Sequence, residues 1–78
     1  MKYIVVTGGA GFIGTNLIRS LLKSFKNKKI QIISIDNYFT GTKKNHIKDK
    51  NIRYINGNTK NIAEILKNIK NKISVIFH

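Results

Sequence analysis

Apolar residues recur along the chain in two rhythms. Tyr3-Ile4-Val5-Val6 is an unbroken apolar run closed by Thr7-Gly8-Gly9, the pattern of a strand buried on both faces. From Phe12 to Lys26 the rhythm changes. Ile13, Leu17, Ile18, Leu21, Leu22 and Phe25 follow helical spacing, which predicts an amphipathic helix with one apolar stripe. Arg19, Ser20, Lys23 and Ser24 take its other side, and Asn27-Lys28-Lys29 ends it. Ile30 to Ile35 is a second β-branched run, stopped by Asp36-Asn37. The polar stretch from Asn37 to Asn51 has little periodicity and reads as a loop, with one helical turn near Lys44–Ile47. Ile52 to Ile55 predicts a third strand, followed by a turn at Asn56-Gly57-Asn58. Ile62, Ile65, Leu66 and Ile69 form a second, short helical stripe, with Asn61 as its N-cap and Glu64 at its third position. Ile73 to Phe77 predicts a fourth strand.

Strand, helix, strand, crossover, strand, helix, strand is the pattern of an α/β fold with a parallel sheet. The irregular stretch before the third strand is long enough for a parallel crossover. Right-handed connections place the first helix on one face of the sheet. A reversal at the first strand places the second helix on the other, with spatial order 3-2-1-4. That is the first half of a doubly wound, Rossmann-type nucleotide-binding domain, and no linker or repeat divides residues 1–78.

Composition narrows the chemistry. With 78 residues and no cysteine, the chain has no disulfide staples, thiol nucleophile or cysteine-ligated metal, and it buries only roughly 60% of its unfolded surface. No apolar run approaches the roughly 18 residues of a membrane span. The N-terminus reads as a strand and not a signal peptide, so the expected setting is soluble and cytoplasmic, without a membrane partner. The net charge of +12 comes from 15 Lys+Arg against 3 Asp+Glu. Such a balance invites a nucleic-acid partner. The lysines, however, are spread with Asn and Ile, without an arginine cluster or interleaved aromatics for base stacking. They read as solvated residues, and no nucleic-acid partner is expected. His46 sits in a lysine-rich loop and reads as facing water, and nothing has metal-ligand spacing.

The informative segment is Thr7-Gly8-Gly9-Ala10-Gly11-Phe12-Ile13-Gly14. Its G-x-G-x-x-G spacing follows a predicted strand and opens a predicted helix, the context that gives this motif meaning. A glycine near Gly8–Gly9 permits a sharp turn with positive φ. Gly11 leaves room for a pyrophosphate, and Gly14 lets the helix pack closely against the first strand. Amide groups at the helix start then face the phosphates. A triphosphate loop would need Gly-Lys-Ser/Thr here, and Phe12-Ile13-Gly14-Thr15 has no lysine. Asp36 stands 22 positions after Gly14, where a carboxylate accepts hydrogen bonds from the adenosine ribose and repels a 2′-phosphate. NAD is thereby favoured over NADP, although Lys43 and Lys44 leave NADP tolerance open. An ordinary strand-end aspartate is the alternative reading.

Three stretches together resemble the extended short-chain dehydrogenase/reductase family: the glycine motif, Ser34-Ile35-Asp36-Asn37-Tyr38-Phe39-Thr40-Gly41, and Val75-Ile76-Phe77-His78. The resemblance is to its NAD-dependent nucleotide-sugar branch: UDP-glucose 4-epimerase-like proteins, dTDP-glucose dehydratases and UDP-glucuronate decarboxylases. It spans the chain but only about the first quarter of such an enzyme, so the expectation is an N-terminal, cofactor-binding portion. The resemblance implies that Phe12 and Ile13 offer backbone amides to the pyrophosphate. Asp36 and Asn37 hold the ribose, with Thr40, Gly41 and Lys43 closing over it. Gly57-Asn58 stands where the family often has Gly-Asp, leaving Asn58 an uncharged contact for adenine, with Thr59 beside it. His78 falls at a strand end that the family continues along the cofactor. The resemblance also implies a UDP- or dTDP-sugar substrate, a homodimer, and hydride exchange between sugar carbon and NAD. The family's catalytic tyrosine and lysine are not both present: four positions beyond Tyr3, Tyr38 and Tyr54 stand Thr7, Thr42 and Asn58. No catalytic residue is therefore assigned, and the chain alone is expected to be inactive. A non-catalytic nucleotide-binding module is the second reading.

Overall fold

The computed structural model describes residues 2–25, 29–39 and 41–77. Four parallel strands, β1 (Lys2–Thr7), β2 (Ile30–Asp36), β3 (Ile52–Asn56) and β4 (Ile73–Phe77), form one sheet in the order β3-β2-β1-β4. Helix α1 (Phe12–Ser24) follows β1, and the short helix α2 (Ile62–Ile65) precedes β4. The expected order 3-2-1-4 and the strand positions are all found.

Alternation along the central strands assigns the two faces. Ile4, Val6 and Ile32 point to one face, where Ile18 of α1 is fully buried and Leu17, Leu21 and Leu22 pack beside it. Val5, Ile33 and Ile35 point to the other, against Leu66, Ile62, Ile65 and Ile69. Each helix thus covers one face, as the reversal at β1 requires. A regular α-helical hydrogen-bond pattern covers only four residues of the second stripe, flanked by tight turns at Thr59–Asn61 and Lys70–Lys72. Ile and Asn, both weak helix formers, fill that segment, so packing holds its stripe while the backbone stays irregular. Asn61 makes no side-chain capping bond. Asn58 caps instead, its Oδ1 accepting the Lys60 N–H at 3.0 Å. The helical turn expected at Lys44–Ile47 is a 3-10 turn at Lys43–Asn45.

Helix α1 ends at Ser24 with Phe25 as its cap; Lys26, expected as its last residue, and Asn27 and Lys28 of the Asn27-Lys28-Lys29 stop lie outside the described residues. At its other end Ile13 departs from the predicted stripe. It is 82% exposed, as Phe12 is 81%, because this first turn stands beyond the carboxyl end of the sheet and has no strand beneath it. Every described lysine is exposed, as expected of solvated charges. The ion pair Lys67–Glu64, 3.4 Å apart on the surface, adds little to stability. No helix among the described residues is long and apolar enough to cross a membrane.

One buried group stands out in β2. The Ser34 side chain is fully buried, and its hydroxyl has no hydrogen-bond partner among the described residues. An orphan hydroxyl costs about 1–3 kcal/mol, so Ser34→Ala is expected to raise stability by about 1 kcal/mol. Urea unfolding reads this as a higher midpoint at an unchanged slope; a lower midpoint would show that the hydroxyl is satisfied in solution.

Candidate functional site

The carboxyl ends of β1, β2 and β3 converge on one cleft, the usual ligand position in an open α/β sheet. It holds about 230 Å³ and is lined by Thr7, Gly8, Gly11, Ile35, Asp36, Asn37, Gly57 and Thr59. Gly8, Gly11, Asp36, Asn37 and Thr59 were expected from the sequence. Thr7 and Gly57 were not, although each adjoins the end of a strand entering the cleft.

The glycine turn is built by contacts that differ at each position. Gly8 has φ +71, a conformation that side chains resist, and its N–H donates to Ile35 O at 2.8 Å. That bond ties the turn to the end of β2. A Cβ on Gly9 would fall on the Ser34 hydroxyl, and one on Gly14 would fall on the Gly8 carbonyl and within 2.8 Å of Gly9 Cα. Gly14 therefore seats the helix against the turn itself, where the sequence pointed to the first strand. Gly11 is different: a Cβ there meets only Gly8 O, at an ordinary 3.5 Å. Its open side belongs to the cleft.

Gly11 is also the N-cap of α1. It has no side chain to cap with, and the first turn contains no acidic residue. The first intrahelical bond is Thr15 N–H to Gly11 O, at 2.9 Å, so the amides of Phe12, Ile13 and Gly14 precede the ladder and have no partner within it. Their N–H groups and the helix dipole form an uncompensated positive end. An anion at this mouth meets both.

Asp36 faces the same cleft from the end of β2 and is only 7% exposed. Its Oδ2 accepts the Ala10 N–H at 3.0 Å and its Oδ1 the Tyr38 N–H at 2.7 Å. One backbone donor per oxygen leaves each a further lone pair. Asn37, exposed beside it, accepts the Phe39 N–H on its own Oδ1 at 2.9 Å. Gly41 passes behind the carboxylate: a Cβ there would come within 2.7 Å of Asp36 Oδ2 and 2.9 Å of the Ala10 carbonyl carbon. The loop thus packs closely against Asp36 at Gly41. Lys43 lies exposed on the 3-10 turn and does not line the cleft, nor does Asn58, whose oxygen is engaged by Lys60. Thr40 and His78 lie outside the described residues.

His46 does not face water as expected. Its ring stacks on Tyr54 with centroids 3.7 Å apart and planes 8° from parallel, and its Nε2 lies 2.6 Å from the Tyr38 hydroxyl. Burial, then the Asp36 carboxylate, then Tyr54 push the Tyr38 hydroxyl above its ordinary range. The phenol and the imidazole share one hydrogen bond, whose direction follows the His46 tautomer. Nothing in the spacing of a polar loop announces a stack between residues eight positions apart.

Comparison with known proteins brings three relatives beside this geometry. Residues 5–78 match the profile of the 3-beta hydroxysteroid dehydrogenase/isomerase family. The dTDP-D-glucose 4,6-dehydratase of Dictyostelium discoideum is 38% identical over 82 aligned residues, covering all of this chain and 19% of its own. UDP-glucuronic acid decarboxylase 6 of Arabidopsis thaliana is 55% identical over 42 residues, 54% of this chain and 11% of its own. Among solved structures, the dTDP-glucose 4,6-dehydratase of Bacillus anthracis in complex with NAD superposes with a TM-score of 0.79. It is 31% identical, over 97% of this chain and 26% of its own. The chain thus spans about a fifth of the dehydratase relative and a quarter of the solved one.

Proposed function

The chain belongs to the 3-beta hydroxysteroid dehydrogenase/isomerase family, and on that premise we propose that it is the NAD-holding portion of an enzyme acting on a UDP- or dTDP-sugar. The observation that carries this is the open side of Gly11 at an uncapped helix start, lining the same cleft as Asp36. That arrangement suits an adenosine diphosphate: amides for the diphosphate, a fixed carboxylate for paired ribose hydroxyls.

The residues present fit the dinucleotide. The amides of Phe12 and Ile13 hold the pyrophosphate, and Gly11 keeps its place clear of side chains. Asp36 accepts from the ribose through its remaining lone pairs, with Asn37 beside it. Gly57 and Thr59 border the adenine side, where Asn58 offers no charge. When bound, NAD supplies a hydride acceptor and donor; these residues bind and orient it. The choice of a sugar-nucleotide substrate over a steroid rests on the named relatives and on the Asp36–Gly41 stretch.

The second reading is a nucleotide-binding module without catalysis. Sugar-nucleotide-dependent reduction of NAD⁺, assayed in the intact protein, separates the two readings.

The binding claim itself is tested at Asp36. Asp36→Ala is expected to weaken NAD binding about tenfold, the size of a lost charge-assisted hydrogen bond. Affinity for NADP falls less, because the charge that repels a 2′-phosphate is gone. The same substitution orphans the Ala10 and Tyr38 amides, so Asp36→Asn, which keeps an acceptor, controls for loosened structure. Titration calorimetry with both dinucleotides reads the outcome; unchanged NAD affinity in Asp36→Ala sinks the proposal.

A further inference from the structure

We infer that His46, acting through Tyr38, is a positioning residue for the Asp36 carboxylate and so for the preference of NAD over NADP; this rests on the dinucleotide reading above. Tyr38 is the one non-glycine residue with positive φ among those described, at φ 62. A bulky residue there is strained, and such strain persists only where surrounding contacts over-determine it. Two contacts do so. The Tyr38 N–H donates to Asp36 Oδ1, and its hydroxyl reaches His46 Nε2.

Those contacts belong to a closed circuit. The Ala10 N–H donates to Asp36 Oδ2 at 3.0 Å, Asp36 Oδ1 accepts from Tyr38, and Tyr38 is anchored on His46. Beside His46, the Asn45 Nδ2 donates to Ala10 O at 2.8 Å, which returns the path to the glycine turn. The Thr42 N–H donates to the same carbonyl at 3.1 Å. His46 is itself held by Tyr54, whose hydroxyl accepts the Ile47 N–H at 2.9 Å. The carboxylate therefore has one orientation because the loop has one. If the Tyr38–His46 link is cut, residue 38 relaxes from positive φ and its N–H leaves Oδ1. The carboxylate then turns more freely. A swinging carboxylate both binds ribose less well and repels a 2′-phosphate less, so the two dinucleotides respond unequally.

The test is calorimetric affinity for NAD and NADP in the intact protein. His46→Phe keeps a flat ring on Tyr54 but removes the hydrogen-bonding nitrogen; Tyr38→Phe removes only the hydroxyl. Each is expected to weaken NAD binding about three- to tenfold and to narrow the NAD-to-NADP affinity ratio, with native far-UV circular dichroism. The double variant is expected to be no weaker than the worse single, since both cut one link. His46→Gln, whose amide offers both a donor and an acceptor, is expected to recover part of the ratio. Wild-type affinity and ratio in both single variants overturn the inference. An equal loss of NAD and NADP affinity also overturns it, since that marks general loosening. Asp36→Ala run alongside separates the failures: if it too changes neither affinity nor ratio, the dinucleotide reading falls and this inference with it.

Discussion

Gly11→Val is expected to lower NAD affinity by about a hundredfold or more, about 2.7 kcal/mol, while the protein remains folded. The two halves of this expectation come from one local geometry. Gly11 has φ −83 and ψ 177, extended backbone that valine adopts readily. Its Cβ would touch only the Gly8 carbonyl oxygen, at 3.5 Å, so the fold gives it room. The added methyls then project into the cleft, at the mouth where the α1 amides meet the diphosphate in the proposed reading. Steric exclusion of the phosphates also strands the amides that would have bound them, so binding suffers twice. Thermal unfolding on the same sample is expected to stay within about 2 °C of wild type, the shift that corresponds to a few tenths of a kcal/mol in a chain this small. Native-like NAD affinity in Gly11→Val would remove the pyrophosphate from this position.

The strands were legible because β-branched runs bounded by glycine, asparagine or aspartate have few other uses. Their order followed from handedness once the helices were placed, since one reversal at β1 puts Ile18 and Leu66 on opposite faces. The Gly8–Gly14 turn and Asp36 were legible for a different reason: each sits at a strand end where local chain geometry, not remote packing, limits the residue. What escaped was set by contacts distant in sequence. Ile13 belongs to the apolar stripe by spacing, but periodicity does not say where the sheet beneath a helix stops. Asn61 is a good cap on paper, but the path of the chain after β3 gives the capping bond to Asn58. His46 looked solvated because its neighbours in sequence are polar, whereas its neighbours in space are Tyr38 and Tyr54. The tie from Asn45 to Ala10, 35 positions apart, has no sequence signal at all. The part of the site proposed to bind is thus local, and the part proposed to orient Asp36 is not.

Gly14→Val is expected to act on the fold and to take binding down with it. Two effects oppose each other. Valine is a better helix former than glycine by about 0.4 kcal/mol, which alone would stabilise α1. Against this, the Cβ at position 14 would fall on the Gly8 carbonyl and within 2.9 Å of Gly8 C and 2.8 Å of Gly9 Cα. All three are backbone atoms, and the turn that holds them is fixed by Gly8 N–H to Ile35 O and by the Thr15 hydroxyl, which donates to Gly9 O at 3.2 Å. No side chain can swing aside. Overpacking against a rigid surface costs about 3 kcal/mol, at the upper end for core insertions, so the clash outweighs the propensity gain severalfold. A small α/β chain with stability near the low end of about 5 kcal/mol loses most of it. The expected result is a fall in urea midpoint by about half or more, and NAD affinity falls as the helix mouth is levered away from Asp36. A Gly14→Val protein with a wild-type midpoint would show that α1 does not press against the turn in solution. It would also leave the helix amides without the placement on which the diphosphate reading depends.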